Sequence, residues 1–280
     1  MRIANHAGRA VLVLSDAEGA DIATASGGRF GPTLQSIYDN WDAFTSWAAT
    51  ATPTPDVEID RSLLESPSPT PSQVVAIGLN YADHAAETGF EPPTDLPPVF
   101  TKFASSITGP YGEIALPDGG HTDWEVEVVA VIGKTAHKVS PAEAWDHVAG
   151  LTIGQDLSER ILQFVGQAPQ FGFAKSYPGF APIGPWLVTP DEFPDRDDLA
   201  LGCSIDGETV QDGRTSKLIF PIPRTIAKLS EVLTLRPGDV IFTGTPDGVG
   251  LGRTPQRFLQ PGETLRTWAE GIGEMQHTFR

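Results

Sequence analysis

Apolar residues occur along this chain mainly in short runs bounded by turn-forming residues, a pattern typical of β-strands. The run 123–133 is rich in valine and ends at a glycine, so it predicts a strand that is buried on at least one face. Residues 199–211 are interrupted at Asp206-Gly207, which is typical of a tight hairpin turn. Further strands are predicted at 73–78, 98–103, 183–189 and 240–242. The pattern therefore favours a β-rich fold.

Helical periodicity is confined to a few segments. Five apolar residues follow Pro32 at helical spacing and predict a single amphipathic helix: Leu34, Ile37, Trp41, Phe44 and Ala48. The stretch 140–143 has the form of a capping box with proline at the first helical position, so it predicts a helix over 141–147. Another helix is predicted over 224–234, and a helical turn is predicted after residue 80.

Prolines cluster at both ends of the stretch 53–71 and mark a candidate domain boundary. Residues 1–70, with a hairpin predicted at 9–24, are therefore interpreted as a small N-terminal domain that ends in a proline-rich linker. Residues 71–280 then form the larger domain. A chain of 280 residues, 40% of them hydrophobic, is long enough for one large domain and a small appendage.

The charge balance excludes some classes of partner. The chain has 36 acidic and 19 basic residues and a formal net charge of -17. Nucleic acid or an anionic membrane surface would require a basic patch, so neither is expected as a partner. The single cysteine, Cys203, excludes an intrachain disulfide and a thiolate zinc cluster. No apolar stretch has the length of a signal peptide or a membrane span, so we expect a cytoplasmic protein.

Three carboxylates form a candidate metal site. Side chains alternate across a strand, so Glu125 and Glu127 project from one face of the run 123–133. Asp156 follows a second apolar run, 148–153. Oxygen ligands of this kind suit Mg²⁺ or Mn²⁺. The alternative is that the two glutamates lie on a solvated sheet face.

His84 and Glu87 form a candidate catalytic pair. On a helical turn they are neighbours, so the carboxylate could orient the imidazole as a general base for water. An exposed ion pair with no catalytic role is the alternative. The glycine-rich loop 243–250 lacks the features of a nucleotide loop, but it could present Thr245 and backbone N–H groups to a carboxylate.

These pieces together resemble one family. The blocks occur in its order, at 78–87, Glu125-x-Glu127, 154–158, Lys175-Ser176, 184–186 and 237–250. From residue 73 to near residue 275 the sequence resembles the fumarylacetoacetate hydrolase family, in its branch of acylpyruvate hydrolases and 2-hydroxyhepta-2,4-diene-1,7-dioate isomerases. The resemblance implies an α+β, β-rich fold, a mixed β-roll with a small N-terminal α+β domain. It also implies a homodimer and a Mg²⁺ or Mn²⁺ cofactor.

The resemblance also implies roles for individual residues. It implies metal ligation by Glu125, Glu127 and Asp156. It implies water activation by His84 with Glu87, and it implies that Lys175 helps to hold negative charge on a substrate oxygen. Three further residues match substrate-binding positions: Arg160, Gln163 and Thr245.

Four positions depart from the family pattern. Gln155, Glu159 and Ile161 replace an asparagine, an alanine and an aspartate, and Pro178 stands where a carboxylate follows the lysine. The metal ligands and the catalytic pair are retained, so we expect catalysis to be retained as well. These departures leave the identity of the substrate open.

The expected activity is metal-assisted hydrolysis of a C–C bond in a 2,4-dioxo acid. In this hypothesis His84, supported by Glu87, deprotonates water, which attacks the distal carbonyl and leaves a pyruvate enolate. One alternative keeps the enolate chemistry without water, as an oxaloacetate-type decarboxylase or a 2-hydroxymuconate-type isomerase. Another is a non-catalytic family member that serves as a binding protein. The hydrolase and its decarboxylase or isomerase alternative would each act on a small 2-oxo acid as partner.

Overall fold

The valine-rich run at the centre of the sequence forms the central strand of a large mixed sheet. The computed structural model describes residues 1–280. Its strands are β1 (Arg2–His6), β2 (Arg9–Val13), β3 (Glu18–Asp21), β4 (Val57–Glu58), β5 (Leu64–Glu65), β6 (Val74–Ile77), β7 (Val99–Thr101), β8 (Ile107–Thr108), β9 (Tyr111–Ile114), β10 (Thr122–Asp123), β11 (Val126–Ile132), β12 (Val148–Gln155), β13 (Ser158–Glu159), β14 (Ala181–Val188), β15 (Ala200–Ile205), β16 (Glu208–Arg214), β17 (Val240–Phe242), β18 (Thr264–Ala269) and β19 (Gly273–Phe279). The α-helices are α1 (Ile22–Ala25), α2 (Leu34–Tyr38), α3 (Trp41–Ala48), α4 (Ala82–Glu87), α5 (Arg160–Gln163), α6 (Phe171–Ala174) and α7 (Ile222–Ser230).

Three sheets contain all of these strands. The largest has 12 strands, with the path β4-β3-β2-β1-β14-β12-β11-β17-β6-β7, while β5 pairs with β1 and β8 with β14. A second sheet has 5 strands in the order β16-β15-β18-β19-β9, and β10 pairs with β13. The prediction of a β-rich α+β fold is confirmed. Strands β1–β4 belong to the same sheet as the later strands, and the domain boundary near residue 70 stays a prediction.

Strand β11 is covered on both faces, which explains its continuous apolar sequence. Val128 and Ala130 pack in a cluster that includes Leu201 of the 5-stranded sheet. Val129 and Val131 pack in a second cluster that includes apolar residues of α2 and α3. The large sheet therefore lies between the N-terminal helices and the smaller sheet. Glu127 shares the face of Val129, because residues two apart on a strand point the same way.

The prediction of one helix after Pro32 is wrong. The structure has two helices, α2 and α3, separated at Asp39 and Asn40. The backbone of Asn40 is non-helical, and its Nδ2 donates a hydrogen bond to the carbonyl oxygen of Ser36, 3.0 Å away. Asparagine side chains compete in this way with helical hydrogen bonds. The apolar residues of both helices still face the same core.

The helix predicted over 141–147 is also absent. Its capping contacts form, since the backbone N–H of Ser140 donates to Glu143 Oε2 at 3.0 Å. A turn and a short 3₁₀ helix at Ala144–His147 follow, and β12 begins at once at Val148. Because Val148 pairs with Ile132 in the sheet, the chain is already extended there and an α-helix cannot continue. The later helix, α7, begins at Ile222 and ends at Ser230 instead of spanning 224–234.

The predicted strands lie within a few residues of their expected bounds, but the run 123–133 is divided between β10 and β11. The hairpin turn at Asp206-Gly207 joins β15 to β16. Cys203 is fully buried within β15. None of the helices is both long enough and apolar enough to span a membrane.

We predict that His277 makes the stability of the fold depend on pH. Its Nε2 lies 3.0 Å from the carbonyl oxygen of Gly109, Nδ1 has no hydrogen-bond partner, and burial lowers the pKa to about 4. The unfolded state therefore takes up a proton near pH 6.5, where the folded state does not, and stability falls as the pH drops from 6.5 towards 4. Between pH 7 and pH 5 this group should cost about 2 kcal/mol.

Urea unfolding at the two pH values measures this loss. His277→Gln is the matched control, because its amide can still donate to Gly109 but cannot titrate. The loss between pH 7 and pH 5 should be smaller in the variant. Equal losses in both proteins would show that His277 does not contribute.

Candidate active site

The ends of two paired strands bring three carboxylates together. Glu127 lies on β11, Glu125 immediately precedes this strand, and Asp156 immediately follows β12. The backbone N–H of Asp156 donates to the carbonyl oxygen of Glu125 at 2.9 Å. Oxygens of the three side chains lie within 4.8 Å of one another, and all three residues are buried. The predicted trio is therefore assembled by strand pairing, and the solvated sheet face is excluded as its location.

Two buried lysines face this cluster. Lys175 Nζ lies 2.7 Å from Glu125 Oε2 and 2.7 Å from Asp156 Oδ2. Burial disfavours its charged form, yet the carboxylates of Asp156 and Glu125 hold the pKa of Lys175 above its usual value. Lys102 Nζ donates to Asp156 Oδ1 at 2.5 Å. Burial lowers the pKa of Lys102, and the neighbouring Lys175 lowers it further.

Arg160 connects the cluster to a fourth buried acid, Asp123. The guanidinium donates from Nε to Asp123 Oδ2 at 2.9 Å, from Nη2 to Glu125 Oε1 at 2.7 Å and from Nη1 to Gln163 Oε1 at 2.8 Å. Its helix, α5, is capped by Glu159, whose carboxylate accepts from two backbone N–H groups of the first turn. Arg160 is thus held rigidly by partners on three sides.

The charges within the cluster are unevenly compensated. Burial raises the pKa of Glu125, but Lys175 and Arg160 outweigh it and hold the pKa below the usual range. Burial raises the pKa of Glu127 well above its usual value, and the negative charges of Asp156 and Glu125 raise it further. Its one hydrogen bond comes from the backbone N–H of Gly244 at 2.7 Å. Positive charge is therefore lacking beside Glu127.

This donor set fits a hard divalent cation. The three nearest side chains offer only carboxylate oxygens, which Mg²⁺ and Mn²⁺ prefer as ligands. A divalent cation would also supply the charge that Glu127 lacks, since an opposite charge within a few ångströms favours the ionised form.

The predicted pair of His84 and Glu87 forms on helix α4. His84 Nδ1 lies 2.8 Å from Glu87 Oε1, and His84 is buried. Glu87 Oε2 accepts from the backbone N–H of Gly248 at 2.9 Å. Because the carboxylate accepts at Nδ1, that nitrogen carries the proton and Nε2 is the basic nitrogen. The pair is therefore fixed, with His84 buried and Glu87 partly buried, unlike an exposed ion pair on a helix surface.

One loop positions acids from every part of this site. The loop 243–252 follows β17, and its backbone N–H groups donate to three buried or partly buried carboxylates. The pairs are Gly244 with Glu127, Gly248 with Glu87 and Gly250 with Asp123. A Cβ on Gly252 would lie 2.8 Å from Glu87 Oε2, so a larger residue there would displace this carboxylate.

His84, Glu125 and Lys175 line one cavity, together with Arg160 and Gln163. The other lining residues are mainly apolar and include Phe90, Pro98, Phe100, Phe164, Phe171 and Leu251. We call the part of the lining formed by His84, Glu125, Arg160, Gln163 and Lys175 the polar end. Apolar groups approach it closely, since Lys175 Nζ lies 5.1 Å from the centre of the Phe100 ring.

Thr245 lies outside the lining of this cavity. Its Oγ1 accepts a hydrogen bond from Gln211 Nε2 at 2.8 Å, and Gln211 Oε1 accepts from the backbone N–H of Val126 at 2.9 Å. These contacts support the start of β11. The substrate contact predicted for Thr245 stays a prediction.

The positions that depart from the family pattern make structural contacts. Gln155 Oε1 accepts from the backbone N–H of Glu125 at 2.9 Å, so it positions a candidate metal ligand. Glu159 caps α5, as described above. Ile161 is half-exposed, and Pro178 lines a separate surface cavity.

No pattern in the sequence indicated a role for Lys102, Asp123 or Gln155. Lys102 directly follows the short strand β7, and its side chain is fully buried. Asp123 lies two residues before Glu125, so strand alternation already put it on the same side of the chain.

Residues 73–280 match the fumarylacetoacetate (FAA) hydrolase C-terminal family. The chain belongs to this family. The match begins just before β6 and includes every candidate site residue named above. The family resemblance inferred from the ordered motifs is thereby confirmed.

Known relatives of this fumarylacetoacetate hydrolase family member differ in the share of the chain that they match. A provisionally named hydrolase of Burkholderia lata is 49% identical over 207 residues, which are 73% of this chain and 73% of that protein. The crystal structure of a Mycobacterium smegmatis protein provisionally called HpcE has 54% identity and a TM-score of 0.95, and the match covers 100% of this chain and 99% of that chain. Maleylpyruvate hydrolase from Sphingobium sp. SYK-6, in complex with manganese(II) and pyruvate, has 29% identity and a TM-score of 0.77 over 100% and 98% of the chains.

We predict that Gly244→Ala destabilises the protein by about 2–4 kcal/mol, from the strained backbone and the overpacking together. The residue has φ +104, and a Cβ there would lie 2.6 Å from Asn80 Cβ. Urea unfolding measures the effect. Gly262→Ala is the matched control, since Gly262 has φ +90 and a Cβ there would have nothing within 4 Å. The free energy of unfolding of this variant should fall by only about 1 kcal/mol. Equal losses would mean that the contact with Asn80 relaxes without cost.

Proposed function

We propose that this protein is a metal-dependent hydrolase that cleaves a C–C bond in a 2,4-dioxo acid of the acylpyruvate type. The observation that carries the proposal is the hydrogen-bonded pair of His84 and Glu87, of which the buried His84 lines the same cavity as Glu125 and Lys175. A base beside a cluster of acids and cations is what a water-dependent cleavage requires. The likeness to maleylpyruvate hydrolase with manganese(II) and pyruvate supports the same reaction class.

The proposed cofactor is Mg²⁺ or Mn²⁺, held by Glu125, Glu127 and Asp156. Such an ion stabilises negative charge on the oxygens of a bound 2-oxo acid, a contribution of several kcal/mol. The relative crystallised with manganese(II) supports a divalent ion of this kind.

The residues of the chain then have distinct roles. His84 Nε2 takes a proton from water, and Glu87 stabilises the imidazolium that results. The hydroxide adds to the distal carbonyl, the bond between that carbon and C3 breaks, and the electron pair passes to the pyruvate part as an enolate. Protonation of the enolate at C3 gives pyruvate and a carboxylic acid. Lys175 lies where its ammonium can donate to the enolate oxygen, while Arg160 and Gln163 fix the geometry of the polar end.

An alternative function uses the same polar end without water. Decarboxylation of an oxaloacetate-type acid, or isomerisation of a 2-hydroxymuconate-type diacid, also passes through an enolate that Lys175 can hold. The likeness to the crystal structure of 5-carboxymethyl-2-hydroxymuconate delta-isomerase from Mycobacterium smegmatis, with 32% identity and a TM-score of 0.77, favours keeping the isomerase as an alternative. The buried His84 and Glu87 favour hydrolysis, because decarboxylation requires no activated water. The third possibility, a non-catalytic binding protein, would leave this hydrogen-bonded pair without a purpose.

Turnover of two substrates tests the proposal. We predict that the protein with Mg²⁺ converts acetylpyruvate into acetate and pyruvate, as measured by product analysis. His84→Ala should lower this rate by about 10²–10⁴-fold, because it removes the general base. Its affinity for Mg²⁺, measured by calorimetry, should be unchanged.

Oxaloacetate serves as the control substrate in the same assay. If hydrolysis is the function, the wild-type protein prefers acetylpyruvate and only this activity depends on His84. Turnover of oxaloacetate alone, insensitive to His84→Ala, would reject hydrolysis in favour of the decarboxylase. Loss of both metal affinity and turnover in a folded His84→Ala protein would reject the proposed division of roles.

We further propose that the protein is a homodimer, as the sequence analysis expected. An apolar surface next to the active site supports this, because Phe103 and Phe173 are 58% and 61% exposed and line a surface cavity with Leu162 and Tyr177. Large exposed apolar patches mark interaction sites. The expected cytoplasmic location stays a prediction of the sequence.

Light scattering tests the dimer. The wild-type protein should have twice the mass of one chain, and Phe173→Asp should shift it towards the monomer. Val232→Asp is the control, since Val232 is 83% exposed at the end of α7 and lies outside this surface. A monomeric wild-type protein would contradict the proposal.

A further inference from the structure

We infer that the site selects substrates whose distal acyl group is apolar and uncharged, and that it discriminates against a second carboxylate at that end. This inference rests on the proposed function for the reaction, but it concerns a different part of the cavity. It would separate this protein from hydrolases of maleylpyruvate, whose acyl group ends in a carboxylate.

The first argument is the apolar part of the lining, which we assign to the distal acyl group and call the distal wall. Phe90, Phe164, Phe171 and Leu251 line the cavity with no charged side chain among them. Phe90 and Phe164 are 44% and 45% exposed, so both also face solvent. A carboxylate that moves from water to this wall loses its hydration and gains no hydrogen bond in return.

The second argument is that every cation in the cavity is already engaged. Arg160 donates from all three of its nitrogens, to Asp123, Glu125 and Gln163. Lys175 lies between Glu125 and Asp156 at the polar end, where the 2-oxo acid group of the substrate is expected. His84 is needed as a neutral base. A second carboxylate would therefore find no cation in the lining that lacks an internal partner.

The third argument concerns the uncharged polar groups. Gln163 accepts from Arg160 through Oε1, and its Nε2 makes no hydrogen bond within the chain. That amide can serve a neutral carbonyl oxygen of the substrate. Thr88 donates its hydroxyl hydrogen to the carbonyl oxygen of His84 at 2.8 Å, so it is not available as a donor to a ligand. The formal net charge of -17 adds long-range repulsion of a dianion.

Two uncleavable 2-oxo acids test the inference by binding alone. 2-Oxoglutarate ends in a carboxylate, and 5-methyl-2-oxohexanoate has an isopropyl group of nearly the same shape in its place. Neither has a carbonyl at C4, so neither undergoes the proposed cleavage. In calorimetry with excess Mg²⁺, we expect the dissociation constant of 5-methyl-2-oxohexanoate to be at least about 10-fold lower than that of 2-oxoglutarate. Burial of methyl groups is favourable, whereas burial of an unpaired carboxylate costs free energy.

A pair of neighbouring substitutions assigns the effect to the cavity. Phe164→Arg places a cation at the distal wall and should reduce or reverse the preference. Val165→Arg is the matched control, because Val165 is 53% exposed and does not line the cavity, so its preference should equal that of the wild type. Thermal melting confirms that both variants are folded.

The outcomes separate this inference from the proposed function. Equal affinities, tighter binding of 2-oxoglutarate, or no binding of either acid at 10 mM would overturn the inference. An equal shift of preference in both arginine variants would also overturn it, because the effect would then be one of general charge. If the preference holds while acetylpyruvate is not hydrolysed, the proposed reaction fails and the distal specificity stands.

Discussion

Compensation of buried negative charge is the constraint on which the rest of this structure depends. Asp123, Glu125, Glu127 and Asp156 are buried together, and the cations that face them are Lys102, Lys175 and Arg160. Removing one member of such a cluster leaves an unpaired buried charge, which typically costs about 3–5 kcal/mol. The compensation is incomplete at Glu127, where repulsion and burial raise the pKa. This excess of buried negative charge makes the cluster a suitable site for a divalent cation.

The large sheet places these charges by simple strand geometry. Pairing of β11 with β12 sets Val126 opposite Gln155 and Glu127 opposite Gly154. A Cβ on Gly154 would lie 2.5 Å from the ring of Phe242, so this position must remain small for β17 to pack beside it. The apolar face that buries Val129 and Val131 thus continues directly into the polar face of the site. A stable core and a reactive centre share the same two strands.

Local sequence patterns predicted the features that depend on local geometry. Alternation placed Glu125 and Glu127 on one face, and helical spacing placed His84 beside Glu87. The ordered motifs identified the family. Sequence reasoning did not find the partners that come from distant parts of the chain. Lys102 meets Asp156 across 54 positions and Arg160 meets Asp123 across 37, and no periodic pattern encodes such pairings. The break at Asn40 was missed because the apolar periodicity continues across it.

The glycine loop after β17 has a consequence for how this protein can vary. Its main-chain N–H groups, spaced along 243–252, donate to three acids. These are Glu127 beside the proposed ion, Glu87 behind the imidazole and Asp123 behind the guanidinium. Peptide groups make these contacts, so the outward-facing Asp247 is free to change identity. The number of residues between the contacts is not free, since an insertion between two of them would shift one anchor out of register with the next. Diversification here should therefore proceed by exchange of side chains while the length of the segment stays constant.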